Sequence, residues 1–169
     1  MAKEMLESRY PELDYTRVKR VRKELMDEHI RCKGIDLKLG AKEILSYLKD
    51  RGITSMVATS TDYDLALRCL KETGLYDDLD SLISANDVPR GKPYPDIYEY
   101  ACRKMGLRPQ DCYAVEDSFN GIRSAISAGC RTIMVPDGVM PDEEWKEQLA
   151  LLTDSLFDLI QYFERFDTI

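Results

Sequence analysis

Three short stretches of this 169-residue sequence combine residue types that handle a charged oxyanion. The first is Thr59-Ser60-Thr61, a run of hydroxyls between an apolar segment and a helical pattern. Free backbone N–H groups, a positive dipole end and hydroxyl donors at such a junction suit an anion such as phosphate. Plain helix capping is the competing account of these three residues taken alone. The second stretch, Asn86 to Asp96, places Gly91 and three prolines around Lys92. A backbone fixed in that way presents an ammonium group to a ligand, whereas the alternative is an ordinary solvated lysine. The third is Glu116-Asp117-Ser118, where two carboxylates leave an apolar run directly before a helix. Such a pair offers the hard oxygens that Mg²⁺ takes while keeping waters and substrate phosphate oxygens. Capping of the helix starting near Phe119 would need only one of these residues. A hydroxyl, a lysine and a carboxylate pair together ask for a phosphate and a divalent cation side by side, the equipment of phosphoryl transfer.

The elements that must position these residues alternate between two periods. Apolar residues at helical spacing mark a helix over 14–33, with Val18, Val21, Leu25, Met26 and Ile30 on one face and Gly34 as its stop. A second helix covers 41–51, carrying Ile44, Leu45 and Leu48 inward. Strands are expected at 54–59, 82–85, 112–115 and 131–135, separated by helices that begin at Thr61 or Asp62, at Pro95 and at Ser118 and end at Gly74, Gly106 and Gly129. A last helix is expected over 155–164. This alternation predicts a Rossmann-like α/β fold, a parallel sheet flanked by helices, and ligands there bind outside the carboxyl ends of the strands. The stretch 1–34 lies outside the alternation and reads as a small helical appendage, with the α/β core over 35–169.

Composition narrows the class. Lys plus Arg number 24 against 31 Asp plus Glu, a net charge of −7. That balance argues against nucleic-acid or anionic-membrane surfaces. No apolar run approaches the ~18 residues of a membrane helix, and the polar start is no secretory signal. The five cysteines (Cys32, Cys69, Cys102, Cys112 and Cys130) have no metal-knuckle spacing and read as buried thiols in a reducing cytoplasm. His29, the only histidine, falls on the charged first helix and reads as a surface residue. Trp145, in an acidic segment, reads as helix packing, and Tyr94, Tyr98 and Tyr100 as cover for the core.

At the three stretches the sequence resembles the haloacid dehalogenase-like superfamily, in its β-phosphoglucomutase-like and phosphoglycolate-phosphatase-like subgroup. Ala58-Thr59-Ser60 matches the second family motif, whose hydroxyl binds the substrate phosphoryl group. Gly91-Lys92-Pro93 with Pro95-Asp96 matches the third, whose lysine neutralises charge on nucleophile and phosphoryl group. Val115-Glu116-Asp117-Ser118, followed by Asn120-Gly121-Ile122 and Ala128-Gly129, matches the fourth, whose acidic pair holds Mg²⁺. The resemblance runs from about Gly34 to the C-terminus, and the helix over 14–33 looks like the closing part of the family's helical cap. It implies a Mg²⁺-dependent phosphatase or phosphomutase acting on a small phosphorylated metabolite, with Thr59, Ser60 and Lys92 on phosphate and Glu116 and Asp117 on metal.

One motif departs from the pattern. The family's first motif, an Asp-x-Asp-Gly run that supplies the aspartate nucleophile from a central strand, occurs nowhere in these 169 residues. Asp62-Tyr63-Asp64 opens a helix and lacks the glycine, and Asp78-Leu79-Asp80 precedes a strand instead of ending one. The expectation is therefore a core without its central strand, inactive alone because an aspartyl-phosphate forms on that carboxylate. Three arrangements follow: the half-sheets close together, a neighbouring chain pairs with them, or a separate segment completes the sheet. The alternative function is a non-catalytic module that binds phosphate compounds or a partner through its open edge.

Overall fold

A computed structural model describes residues 8–166. Its described residues fall into two compact units, one running to Asp36 and one beginning at Leu37. The first is dominated by helix α1, Tyr15–Lys33. Asp14 caps it, accepting from the backbone N–H of Thr16 at 3.0 Å and of Arg17 at 3.1 Å. Arg31 and Lys33 complement the dipole of its last turn, and Gly34 ends it at φ 80°. The stripe Val18, Val21, Leu25 and Met26 is exposed, and no residue of α1 is buried.

The second unit carries the alternation. Helix α2 (Ala41–Asp50) starts at Gly40, whose φ of +88° and closeness to Phe157 leave no room for a side chain: an added Cβ would lie 2.3 Å from the Phe157 nitrogen. Strand β1 (Met56–Thr59) leads to helix α3 (Tyr63–Glu72), and β2 (Ser81–Ser84) leads through a proline-rich loop to α4 (Asp96–Met105). Strand β3 (Tyr113–Glu116) precedes α5 (Phe119–Ala128), followed by β4 (Arg131–Met134), a short α6 (Glu143–Lys146), β5 (Leu151–Leu152) and α7 (Phe157–Phe166). The expected strand over 54–59 begins only at Met56, because Ser55 bonds Asp80 just outside the ladder, its N–H donating to Oδ2 at 2.8 Å and its carbonyl accepting from the Asp80 N–H at 2.9 Å. Strand β5 and helix α6 carry too few residues for any periodicity to announce them.

All pairing is parallel, but the sheet is in two pieces. Strand β1 pairs with β2, Met56 opposite Ser81 through Thr59 opposite Ser84. Strand β3 pairs with β4, Tyr113 opposite Arg131 through Glu116 opposite Met134, and β5 extends that piece from β4. Among the described residues no ladder joins β1 to β3. Of the three arrangements open to the sequence, direct closure of the half-sheets is not adopted. The apolar core is divided correspondingly. One cluster gathers Ile83, Ile97, Ala101 and Ala125 around three thiols, and the other gathers Ile44, Ile133, Val135, Leu159 and Phe163. The cysteines also divide: Cys102, Cys112 and Cys130 are buried as expected, Cys69 is half-buried, and Cys32 is exposed on α1.

Candidate functional site

The carboxyl ends of β1 and β3 meet at one side chain. Lys92 Nζ donates to the Ala58 carbonyl at 2.8 Å and also to Oε1 of Glu116, the last residue of β3. The loop that presents it is held at several points. Arg90 makes a two-pronged contact with Asp96, at 3.0 and 2.8 Å. Ser124 on α5 donates to the Tyr94 carbonyl at 2.6 Å, and the Lys92–Pro93 peptide is cis. Ser84 and Asp87 form a reciprocal cap where β2 enters this loop, and Asn86 reaches Asp62, the cap of α3, at 3.2 Å. The lysine is thus a fixed cation: its side chain is 10% exposed, against 6% for Glu116.

Glu116 is engaged through one carboxylate oxygen. Its Oε1 accepts from Lys92 and from the hydroxyl of Tyr98 on α4, and Lys92 Nζ also lies 5.2 Å from the centre of the Tyr98 ring. Burial, then the Glu116 charge, push the Tyr98 phenol well above its ordinary range, so it stays a proton donor to that carboxylate. Asp117 differs in kind. It is exposed at the mouth between β3 and α5, beside the α5 N-terminus that Ser118 caps by accepting from the Gly121 N–H at 3.2 Å.

Thr59 is half-buried at the end of β1, its Oγ1 accepting from the Thr61 N–H at 3.0 Å, and Ser60 is exposed. Asp62 caps α3, so the hydroxyl run is not spent on that duty. Sequence reasoning missed two neighbours. Tyr98 is a phenol on the inner face of α4, between Ile97 and Ala101, and a buried phenol needs a partner, which was the available signal. Lys38 reaches the Pro136 carbonyl at 2.8 Å and Asp137 at 3.5 Å beyond β4, and nothing in its local sequence points there.

For a divalent cation the donor set is small. Among the described residues no three His, Cys, Asp or Glu side chains gather as a metal cluster. The exposed carboxylate of Asp117 fits a Mg²⁺ ion that keeps most of its waters, while Oε1 of Glu116 is taken by Lys92 and Tyr98.

Parallel strands β1 and β3 thus bring hydroxyl, lysine and carboxylate side chains to one carboxyl rim of an α/β fold. The chain belongs to the haloacid dehalogenase-like hydrolases, whose family model matches residues 1–129. It is 35% identical over 128 residues to YhcW of Bacillus subtilis, covering 69% of this chain and 58% of that one. It is 38% identical over 111 residues to hexitol phosphatase A of Escherichia coli, covering 64% and 51%. The crystal structure of CbbY from Rhodobacter sphaeroides in complex with phosphate superposes with a TM-score of 0.74 at 29% identity, covering 88% of this chain and 67% of that one. The chain thus spans little more than half the length of the curated relatives it matches.

Proposed function

We propose that this chain carries the phosphate- and metal-handling part of a Mg²⁺-dependent phosphatase or phosphomutase acting on a small phosphorylated metabolite in the cytoplasm. The observation that carries the reading is Lys92, a buried ammonium held between the end of β1 and Glu116. Lys92 would neutralise phosphoryl charge, Thr59 and Ser60 would donate hydrogen bonds to phosphoryl oxygens, and Asp117 would hold the metal, with Glu116 fixing the lysine behind it. Mg²⁺, when bound, supplies charge neutralisation at the phosphoryl oxygens. The attacking carboxylate is to come from outside these 169 residues, since the Asp-x-Asp-Gly run does not occur within them.

The test is calorimetry with inorganic phosphate, with and without Mg²⁺, alongside turnover of p-nitrophenyl phosphate. Phosphate binding that needs Lys92, without turnover, is the expected result. Turnover by the chain alone that Lys92→Ala or Asp117→Ala abolishes would overturn the assignment of the nucleophile to another segment. A second reading, a non-catalytic phosphate-binding module, is favoured by the same missing run. It predicts binding that no added polypeptide converts into hydrolysis.

A further inference from the structure

Lys38 lies outside every stretch that the sequence marks for chemistry, yet its ammonium gathers three oxygens of one loop. It donates to the Pro136 carbonyl at 2.8 Å and to the Val135 carbonyl at 3.4 Å, and Asp137 Oδ1 lies 3.5 Å away. An ammonium carries three donors and can serve such a set, and a charged donor makes the stronger kind of hydrogen bond. The backbone behind it is held as well. The Lys38 carbonyl accepts from the Ala41 N–H at 3.0 Å, and the Leu39 carbonyl accepts from the Leu156 N–H at 3.1 Å. Gly40 packs directly against the Phe157 backbone.

The far side of the same loop is tied to the rim. The Val135 N–H donates to the Glu116 carbonyl at 2.8 Å, and the Asp137 N–H donates to the Asp117 carbonyl at 3.3 Å. Pro136 between them has no N–H to give, so its carbonyl, held by Lys38, is its only handle. Asp117 is exposed, so its carboxylate is aimed by its backbone rather than by a wall of side chains. We infer that Lys38 is a positioning residue: it clamps residues 135–137 against the end of β3 and, through the Asp137 N–H, holds Asp117 in the orientation that takes a divalent cation. The role toward the cation rests on the metal-handling reading of Asp117, whereas the clamp does not. Charge alone makes the opposite demand. Lys38 is itself a cation, so Coulomb's law has its removal strengthen binding of another cation nearby. Removal of a residue that orients a metal ligand weakens it. The sign of the effect separates the two.

The test uses the whole chain with Lys38→Met, which keeps the apolar stem and removes the donors. Amide hydrogen exchange reads the clamp: the Asp137 N–H should exchange about tenfold faster, the worth of one hydrogen bond, while Ile133 within β4 keeps its rate. Mn²⁺ titration by electron paramagnetic resonance in saturating inorganic phosphate reads the consequence. Affinity should fall about tenfold or more, the usual effect of losing a partner behind a metal ligand. Calorimetry with inorganic phosphate and no metal should give the parent's affinity, because Lys38 acts on Asp117 and not on the anion. Asp137→Asn keeps the N–H and should cost less Mn²⁺ affinity than Lys38→Met. Unchanged or tighter Mn²⁺ binding by Lys38→Met overturns the inference, as does equal acceleration of exchange at Asp137 and Ile133. So does a fall in metal-free phosphate affinity, which would put the ammonium on the anion, or a loss with Asp137→Asn as large as with Asp117→Asn, which would make Asp137 a ligand. A parent chain that binds no Mn²⁺ even with phosphate overturns the metal reading, and the positioning role with it, whatever the exchange rates show.

Discussion

Gly121 on α5 faces the carboxylate of Glu116 so closely that a Cβ there would lie 1.8 Å from Oε2. The absence of a side chain in the first turn of α5 is what lets Glu116 fold back toward Lys92 and Tyr98. An alanine in a helix normally gains up to about 1 kcal/mol over glycine. Here the sign should reverse: Gly121→Ala should cost about 1–3 kcal/mol, as overpacking does. Urea unfolding decides it, and a variant as stable as the parent would mean that the carboxylate has another place to go.

Lys92 and Glu116 form a buried pair, so removing one partner strands the other. Lys92→Ala should lose about 3–5 kcal/mol, the usual cost of an uncompensated buried charge. Lys92→Met combined with Glu116→Gln should recover most of that loss, because neither residue then brings a charge into the site. Chemical denaturation of the single and double variants checks the pair. A double variant no better than Lys92→Ala would show that the lysine acts through packing instead.

Tyr98→Phe should cost about 1–2 kcal/mol, because Glu116 keeps Lys92 but loses its second donor. The cost should vanish in a Glu116→Gln background, where the amide oxygen has no charge to satisfy. A double-mutant cycle measures this coupling, and additive losses would place the tyrosine's contribution in the core alone.

These side chains mark the limit of what the sequence could say. The rim itself was legible because Thr59 closes β1, Lys92 lies in the loop after β2 and Asp117 directly follows β3, and hydrophobic periodicity finds strands of this kind. Lys92 was legible as a presented lysine from its prolines. Its partner was not: Glu116 and Asp117 are adjacent and chemically alike, and only the fold turns one inward to Lys92 and leaves the other in solvent. Tyr98 was hidden among neighbouring tyrosines, Tyr94 and Tyr100, that share its type but not its burial. The divided sheet was legible only as a set of alternatives, since local pattern says which segments are strands and not which neighbours they lack.

Three buried thiols give the fold a pH dependence. Burial pushes Cys102 up to about 11, Cys112 up to about 12 and Cys130 up to about 11, with the thiols' mutual proximity adding to the rise at Cys102 and Cys112. An acid whose folded pKa is raised binds its proton more tightly when folded, so unfolding releases protons above the ordinary thiol value of 9.0. The contribution to stability is level below pH 9 and falls as pH rises from 9 towards 11 and 12. Melting temperatures across that range should drop more steeply for the parent than for a variant with Cys102→Ala and Cys130→Ala. Parallel profiles would remove the thiols from the account.

The most direct test of the rim is a Mn²⁺ titration followed by electron paramagnetic resonance, with Mn²⁺ standing in for Mg²⁺ and inorganic phosphate absent or saturating. Asp117 alone offers few ligands, so the metal should bind weakly without phosphate and about tenfold or more tightly with it, a coupling of ordinary size. Asp117→Asn should erase that gain, and Lys92→Met with Glu116→Gln should reduce it by weakening phosphate binding. Metal binding indifferent to phosphate, or unchanged by Asp117→Asn, would contradict a shared phosphate and metal site at the ends of β1 and β3.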